Sequence, residues 1–149
     1  MRAVVQRVSL ARVMVEGEVA GQIGRGLLVY VAVGSDDGDE DVAYVVEKVR
    51  HLRVFTDEAG KMNLDVGQVG GEVLAVSAFS VYADARKGRR PSFDAAGGAE
   101  MAQGLCERFC QLLGQTGVRV GRGVFRAKMQ VESVNDGPIC ILLDSRRGF

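Results

Sequence analysis

Apolar and polar positions alternate along much of this chain, and where the alternation stops a helical period replaces it. Ala3 to Val8 and Ala11 to Glu16 are two closely spaced Val-rich runs, and Glu16-Gly17 reads as a turn into a third run, Val19 to Ile23. Leu27 to Val33 is continuously apolar, the pattern of a strand buried on both faces. Val73 to Ser77, Arg126 to Val134 and Ile139 to Leu143 read as further strands. Val42, Val45, Val46, Val49 and Leu52 instead recur on one helical face, after an Asp-rich start that suits a helix N-terminus. Intrinsic propensity disfavours β-branched residues there, but the period outweighs it. Ala102, Leu105, Cys106, Phe109 and Leu113 repeat the spacing, and Gly114 and Gly117 mark the stop. Strand runs with only two main helices predict an α+β fold with a curved or barrel-like, mostly antiparallel sheet. No repeat or low-complexity linker interrupts the pattern, so residues 1–149 are expected to form one domain.

Composition narrows the class. A chain of this length buries roughly 68–70% of its unfolded surface, enough for a core without staples. Lys and Arg number 19 and so do Asp and Glu, for a net charge of zero. A generic polyanion binder is more basic, so any nucleic-acid contact has to come from a local patch. Three cysteines with no disulfide framework suggest a reducing compartment. No apolar run approaches the ~18 residues of a membrane span, and Arg2 followed by an alternating strand is unlike a signal peptide. The expectation is a soluble cytoplasmic protein.

Conventional catalytic groups are scarce. The single histidine, His51, falls near the end of the first helix and reads as a surface residue. Two-His metal sites are excluded by count. Cys106 and Cys110 lie one helical turn apart, with Cys106 on the apolar stripe, and read as core material. No metal and no cofactor are expected. Gly21, Gly24 and Gly26 lack dinucleotide spacing and are assigned turn and bulge roles. Asp36 and Asp37 read as a solvated loop ahead of the first helix.

The most distinctive stretch is Asn135-Asp136-Gly137-Pro138-Ile139-Cys140, between two apolar runs. Asn-Gly or Asp-Gly alone would make a simple hairpin. The added Pro removes a donor and fixes φ, and X-Pro is the linkage where a cis peptide costs only about 0.5–1 kcal/mol. A cis Gly137-Pro138 would aim two carbonyl oxygens to one side without side-chain bulk, a rigid acceptor pair for something small and polar.

Further motifs accompany it: Ala3-Val4-Val5-Gln6-Arg7-Val8, Ser77-Ala78-Phe79-Ser80-Val81, Arg86-Lys87-Gly88-Arg89-Arg90-Pro91-Ser92-Phe93, and Phe125-Arg126-Ala127-Lys128-Met129-Gln130-Val131. In this order, from Met1 to Leu143, the chain resembles the D-aminoacyl-tRNA deacylase family. The resemblance implies a homodimer with active sites at the subunit interface. It implies hydrolysis of the ester joining a D-amino acid, and also glycine, to the terminal adenosine of tRNA, a proofreading step in translation. Gly137 and Pro138 match the family's cis peptide, which reaches into the partner's pocket and performs chiral selection. Arg7 matches the arginine that braces their carbonyls. Ser77, Ala78 and Phe79 map to the family's Ser-Gln-Phe motif, acting mainly through the main chain. Phe125 and Met129 match pocket-lining positions, as does Ala96 by its spacing from Phe93.

The sequence departs from the family at two positions: the usual Gln is Ala78 and the usual Thr is Cys140. If the backbone N–H of residue 78 binds the oxyanion, Ala78 retains it; a lost Gln donor would cost roughly 2.7–4 kcal/mol of barrier. Two other readings follow from these departures. One is a tRNA-binding homologue with weakened turnover, the other a thiol-dependent esterase using Cys140. The basic run Arg86, Lys87, Arg89 and Arg90 suits tRNA phosphates, with salt-dependent affinity. Phe93 beside it reads either as a stacking platform or as a buried ring.

Overall fold

In a computed structural model covering residues 1–149, the two Val-rich runs at the start of the chain form one unbroken strand, β1 (Arg2–Val15). Glu16 and Gly17 follow with positive φ, 51° and 79°, the conformation of a tight hairpin turn. β2 (Glu18–Ile23) then returns along β1. Next come β3 (Gly26–Ala32), α1 (Asp39–His51), the short pair β4 (Phe55–Thr56) and β5 (Met62–Leu64), and β6 (Glu72–Ser77). A 3-10 turn (Phe79–Tyr82), α2 (Ala99–Gln115), β7 (Val120–Arg122) and β8 (Gln130–Asp144) complete the chain.

β1 organises the sheet. It pairs along one edge with β8, and along the other with β3 and then β2, always antiparallel. Beyond β3 the pairing changes sign: β3–β6 and β6–β7 are parallel. The strand pattern alone did not reveal these parallel pairs. They follow from the connections, because α1 with β4 and β5 bridges β3 to β6, and α2 bridges β6 to β7, as parallel neighbours require. The sheet curls until β2 meets β7, where a Cβ on Gly21 would collide with the Arg122 carbonyl. Gly21 therefore serves close backbone approach rather than a turn.

The curl creates two cores. Val8, Val13, Ile23, Leu28, Leu74 and Val76 fill the inside of the barrel. Val29, Val31, Val45, Val49, Phe109 and Leu113 lie between the sheet and the helices. β3 sends Leu28 inward and Leu27, Val29 and Val31 outward, so it is buried on both faces. The buried face of α1 is Val42, Val45, Val46 and Val49. Burying one such side chain contributes roughly 1.5–3 kcal/mol, well above the ~0.7 kcal/mol propensity deficit. No helix is long and apolar enough to cross a membrane.

Two expectations need correction here. Arg126 to Met129 are not strand; they form a turn, with Arg126 at φ 63°, and β8 begins at Gln130. Asp37 is not solvated: its side chain is 3% exposed and lies 2.6 Å from the Met1 ammonium. Its Oδ2 also accepts the Gly34 N–H at 2.6 Å. A main-chain charge, invisible in the side-chain pattern, gives this carboxylate its partner.

Candidate active site

A cavity of about 520 Å³ opens where β6 ends, and Ser77, Ala78, Phe79, Ala96, Phe125 and Met129 all line it. Ser77 is the last residue of β6, held beside β3 by parallel pairing with Val31. The Ala78 N–H extends that pairing to the Val31 carbonyl at 2.8 Å. The chain then folds into the 3-10 turn, whose first bond runs from the Val81 N–H to the Ala78 carbonyl at 3.1 Å. Opposite, Ser35 N–H to Ala95 O (3.0 Å) and Gly97 N–H to Val33 O (2.8 Å) fix Ala96 along the end of β3. Met129 closes the floor, its sulfur accepting the Val124 N–H at 3.4 Å. The Phe79 ring meets Phe93 edge-on with centroids 4.9 Å apart, and both rings remain partly open to solvent.

These bonds change one assignment. The Ala78 N–H is already committed to Val31, so it is not a free oxyanion donor. The N–H groups of Phe79 and Ser80 precede the first bond of the turn and have no partner within it. Both residues line the cavity.

The chemistry of the lining is sparse. It contains no histidine, carboxylate or lysine, and its one charged residue is Arg126. The left-handed backbone of Arg126 costs roughly 1–2 kcal/mol for a residue with a Cβ. Cys106 also lines the cavity and separates it from a neighbouring one of about 290 Å³, which Cys110 and Arg122 help to enclose. Burial pushes the Cys106 thiol up to about 11, while a hydrogen bond with Ser77 pulls the other way. It is therefore a neutral thiol near pH 7, not a nucleophile. Neither Arg126 nor Cys106 carried a sequence signal for this site beyond its motif neighbours and the helix stripe. His51 lies outside the cavity, exposed, with Nδ1 3.7 Å from Asp65 Oδ2.

The Gly-Pro segment is elsewhere on the same chain. Gln6 pairs with Cys140 and Val8 with Asn135, so Arg7 alone faces Asp136 to Ile139. The segment is thus a bulge within one continuous strand, not a break between two. Its Gly137-Pro138 peptide is cis. Asn135 Oδ1 accepts the Ile139 N–H across the base of the bulge at 3.1 Å. Arg7 Nε donates to the Asp136 carbonyl at 3.0 Å and Nη1 to the Val54 carbonyl at 2.6 Å. Arg7 thus grips the residue before the Gly-Pro pair, not the Gly137 and Pro138 carbonyls expected from the sequence. Gly137 and Pro138 are exposed and do not line the cavity of their own chain. Cys140 is likewise exposed and outside it, with Gln6 Nε2 3.9 Å from its sulfur.

The basic run forms a third feature. Asp84 and Ser92 exchange main-chain bonds of 2.8 and 2.9 Å and close the loop between them. Arg86 folds back on Asp84 through Nε (2.9 Å) and Nη2 (2.6 Å). The Arg86 hydrogen bonds hold the Asp84 carboxyl well below the usual range. Lys87, Arg89 and Arg90 are exposed and outside any ion pair.

Fold and site together define a nearly closed α+β barrel that offers a small substrate an apolar cavity edged by main-chain groups. Comparison with known proteins makes the class specific. Residues 4–144 match the family described as D-Tyr-tRNA(Tyr) deacylase, and the chain belongs to that family of ester hydrolases. It is 58% identical to the D-aminoacyl-tRNA deacylase of Anaeromyxobacter dehalogenans and 56% identical to that of Koribacter versatilis, over the full length of both chains in each case. Among solved structures it is similar to a c-Myc DNA unwinding element binding protein, at 39% identity and a TM-score of 0.92, covering 97% of this chain and 98% of the other. A "probable eukaryotic D-amino acid tRNA deacylase" shares the fold, with a TM-score of 0.85 at 20% identity, covering 96% of this chain and 98% of that one.

Proposed function

We propose that this chain hydrolyses the ester of D-aminoacyl-tRNA, and of glycyl-tRNA, as a cytoplasmic proofreading enzyme of translation. The composition of the cavity carries the reading. Ser77, Ala78, Phe79, Ala96, Phe125 and Met129 enclose it without any acid–base side chain. An aminoacyl ester is already activated, so its hydrolysis needs orientation and charge stabilisation more than a strong side-chain nucleophile. The Phe79 N–H is the main-chain donor for the developing oxyanion. The substrate's own 2′-hydroxyl positions or activates the water.

Chirality is judged across a homodimer interface in this reading. Gly137 and Pro138 of one protomer present their carbonyls to the α-amino group bound in the partner's cavity. An L side chain then meets filled space, a D side chain does not, and glycine has nothing to exclude. Support comes from the position of the bulge, which is exposed and outside its own chain's cavity. Leu10 and Val134 pair across β1 and β8 and are 40% and 54% exposed, an apolar surface that a second protomer would cover. Arg7 holds the bulge through Asp136, and Lys87, Arg89 and Arg90 hold tRNA phosphates.

The thiol-esterase alternative has less support, because Cys140 stands beside an amide, not a base. The test is deacylation of D-, L- and glycyl-tRNA, with D and glycyl substrates hydrolysed and L substrates spared. Mixing Pro138→Ala subunits with Phe79→Pro subunits, which lack the donor N–H, tests the shared site. A symmetric dimer that exchanges subunits regains about a quarter of full activity through its mixed species. No regain on mixing removes the cross-subunit arrangement.

A further inference from the structure

Arg126 brings the one charge into an otherwise neutral cavity. It stands on the turn between β7 and β8, closed by the Ala127 N–H to the Val124 carbonyl at 3.2 Å. Its φ of 63° is one that glycine adopts freely and side-chain-bearing residues seldom do. It is exposed at the cavity's rim and forms no ion pair within the chain. A guanidinium offers five donors in a fixed planar fork and accepts nothing, so a site built this way calls for an anion.

The proposed substrate supplies one anion close to its reacting bond. The ribose that carries the amino acid on its 3′ side is joined through its 5′ oxygen to a phosphodiester. We infer that Arg126 binds this 5′ phosphate of the terminal adenosine and so sets the register of the ester against Ser77 and Phe79. The inference rests on the deacylase reading and adds to it a phosphate subsite at the cavity itself. The loop of Lys87, Arg89 and Arg90 stands apart from this subsite, since none of the three lines the cavity. Arg126 is a positioning residue: it holds the substrate and takes no part in bond breaking.

The experiment compares wild type, Arg126→Gly and Arg126→Lys on two minimal substrates, D-aminoacyl-adenosine and D-aminoacyl-adenosine 5′-monophosphate, and on D-aminoacyl-tRNA. Glycine fits the observed φ, so Arg126→Gly keeps the turn. The expected result is a KM about tenfold higher for the monophosphate substrate in Arg126→Gly, the scale of one charge-assisted bond. D-aminoacyl-adenosine should be processed equally by all three proteins, and Arg126→Lys should recover part of the loss on the monophosphate. Equal losses on both minimal substrates, or no loss on either, overturn the phosphate assignment. A loss on tRNA alone also overturns it, because the contact would then lie further along the chain of phosphates. Failure of the wild type on every D substrate instead overturns the deacylase reading, and the inference with it.

Discussion

Arg7 holds Asp136 at two points: its Nε donates to the Asp136 carbonyl at 3.0 Å and lies 3.3 Å from the carboxylate. The other arm of the guanidinium reaches the Val54 carbonyl at 2.6 Å. One side chain therefore ties the bulge of β8 to the segment between α1 and β4. Arg7→Ala is expected to lower stability by about 2 kcal/mol, since it removes charge-assisted bonds at a largely buried position. Deacylation should fall further than stability accounts for, because the bulge loses its anchor. Arg7→Lys should recover little, as a point charge cannot bridge both carbonyls. Urea unfolding and kcat/KM on D-aminoacyl-tRNA measure the two effects; an unchanged kcat/KM in Arg7→Ala would show the anchor to be irrelevant to turnover.

Gly21 is the tightest point of the β2–β7 seam. A methyl group there meets the main chain at Arg122, which no rotamer change can relieve. Gly21→Ala should therefore destabilise the fold by roughly 1–3 kcal/mol, as overpacking does. Gly24→Ala is the control, because a Cβ there comes no closer than 3.9 Å to the Glu72 carboxylate. Equal melting temperatures for the two variants would mean that the seam is loose.

The periodic parts of this structure were legible in the sequence because burial acts on side chains. β3 reads as a strand buried twice, and α1 reads as a helix despite its valines. Main-chain relationships left no such trace. β8 looked like two strands because Gly137-Pro138 reads as punctuation, whereas β1 pairs on both sides of the bulge. The commitment of the Ala78 N–H to Val31 was hidden for the same reason, and so was the left-handed backbone of Arg126. The motif resemblance named Ser77, Phe79, Phe125 and Met129 as site residues; that they line one cavity came from the structure. It did not indicate that Cys106 would form the wall behind them.

Cys106 predicts a specific alkaline limb of stability. Burial favours the neutral thiol, so the native state keeps its proton where the unfolded chain has lost it. The contribution is complete below the ordinary thiol value of 9.0 and is lost as pH rises through about 11. Between pH 8 and 10 this amounts to about 1 kcal/mol. Cys106→Ala should show a correspondingly shallower decline in unfolding free energy over that range. Parallel profiles for the two proteins would count against a buried neutral thiol.

The basic loop should divide unevenly. Arg86 is spent internally on Asp84, leaving Lys87, Arg89 and Arg90 for phosphates. Neutralising those three should reduce the log–log salt slope of tRNA binding by about 2 to 3. Arg86→Gln should change the slope little. A slope that responds to Arg86 as strongly as to the others would reverse this division of labour.

The last expectation concerns the two departures from the family motif. The cavity holds no histidine or carboxylate, Cys106 is a neutral thiol, and Cys140 lies outside the cavity of its own chain. In the proposed mechanism catalysis rests on the Phe79 main chain and on the substrate's 2′-hydroxyl. Cys140→Ala should keep most of the deacylation rate, measured on folded protein. Ala78→Gln should change the rate only modestly, because the new amide joins a site that already has its main-chain donor. Replacing the terminal adenosine by its 2′-deoxy form should be far more damaging than either substitution. The contrast is wide enough to decide, since loss of a true nucleophile or of a side-chain oxyanion donor costs on the order of a hundredfold or more. A collapse of activity in Cys140→Ala, with folding and tRNA binding intact, would give the thiol the central role and set aside the main-chain mechanism.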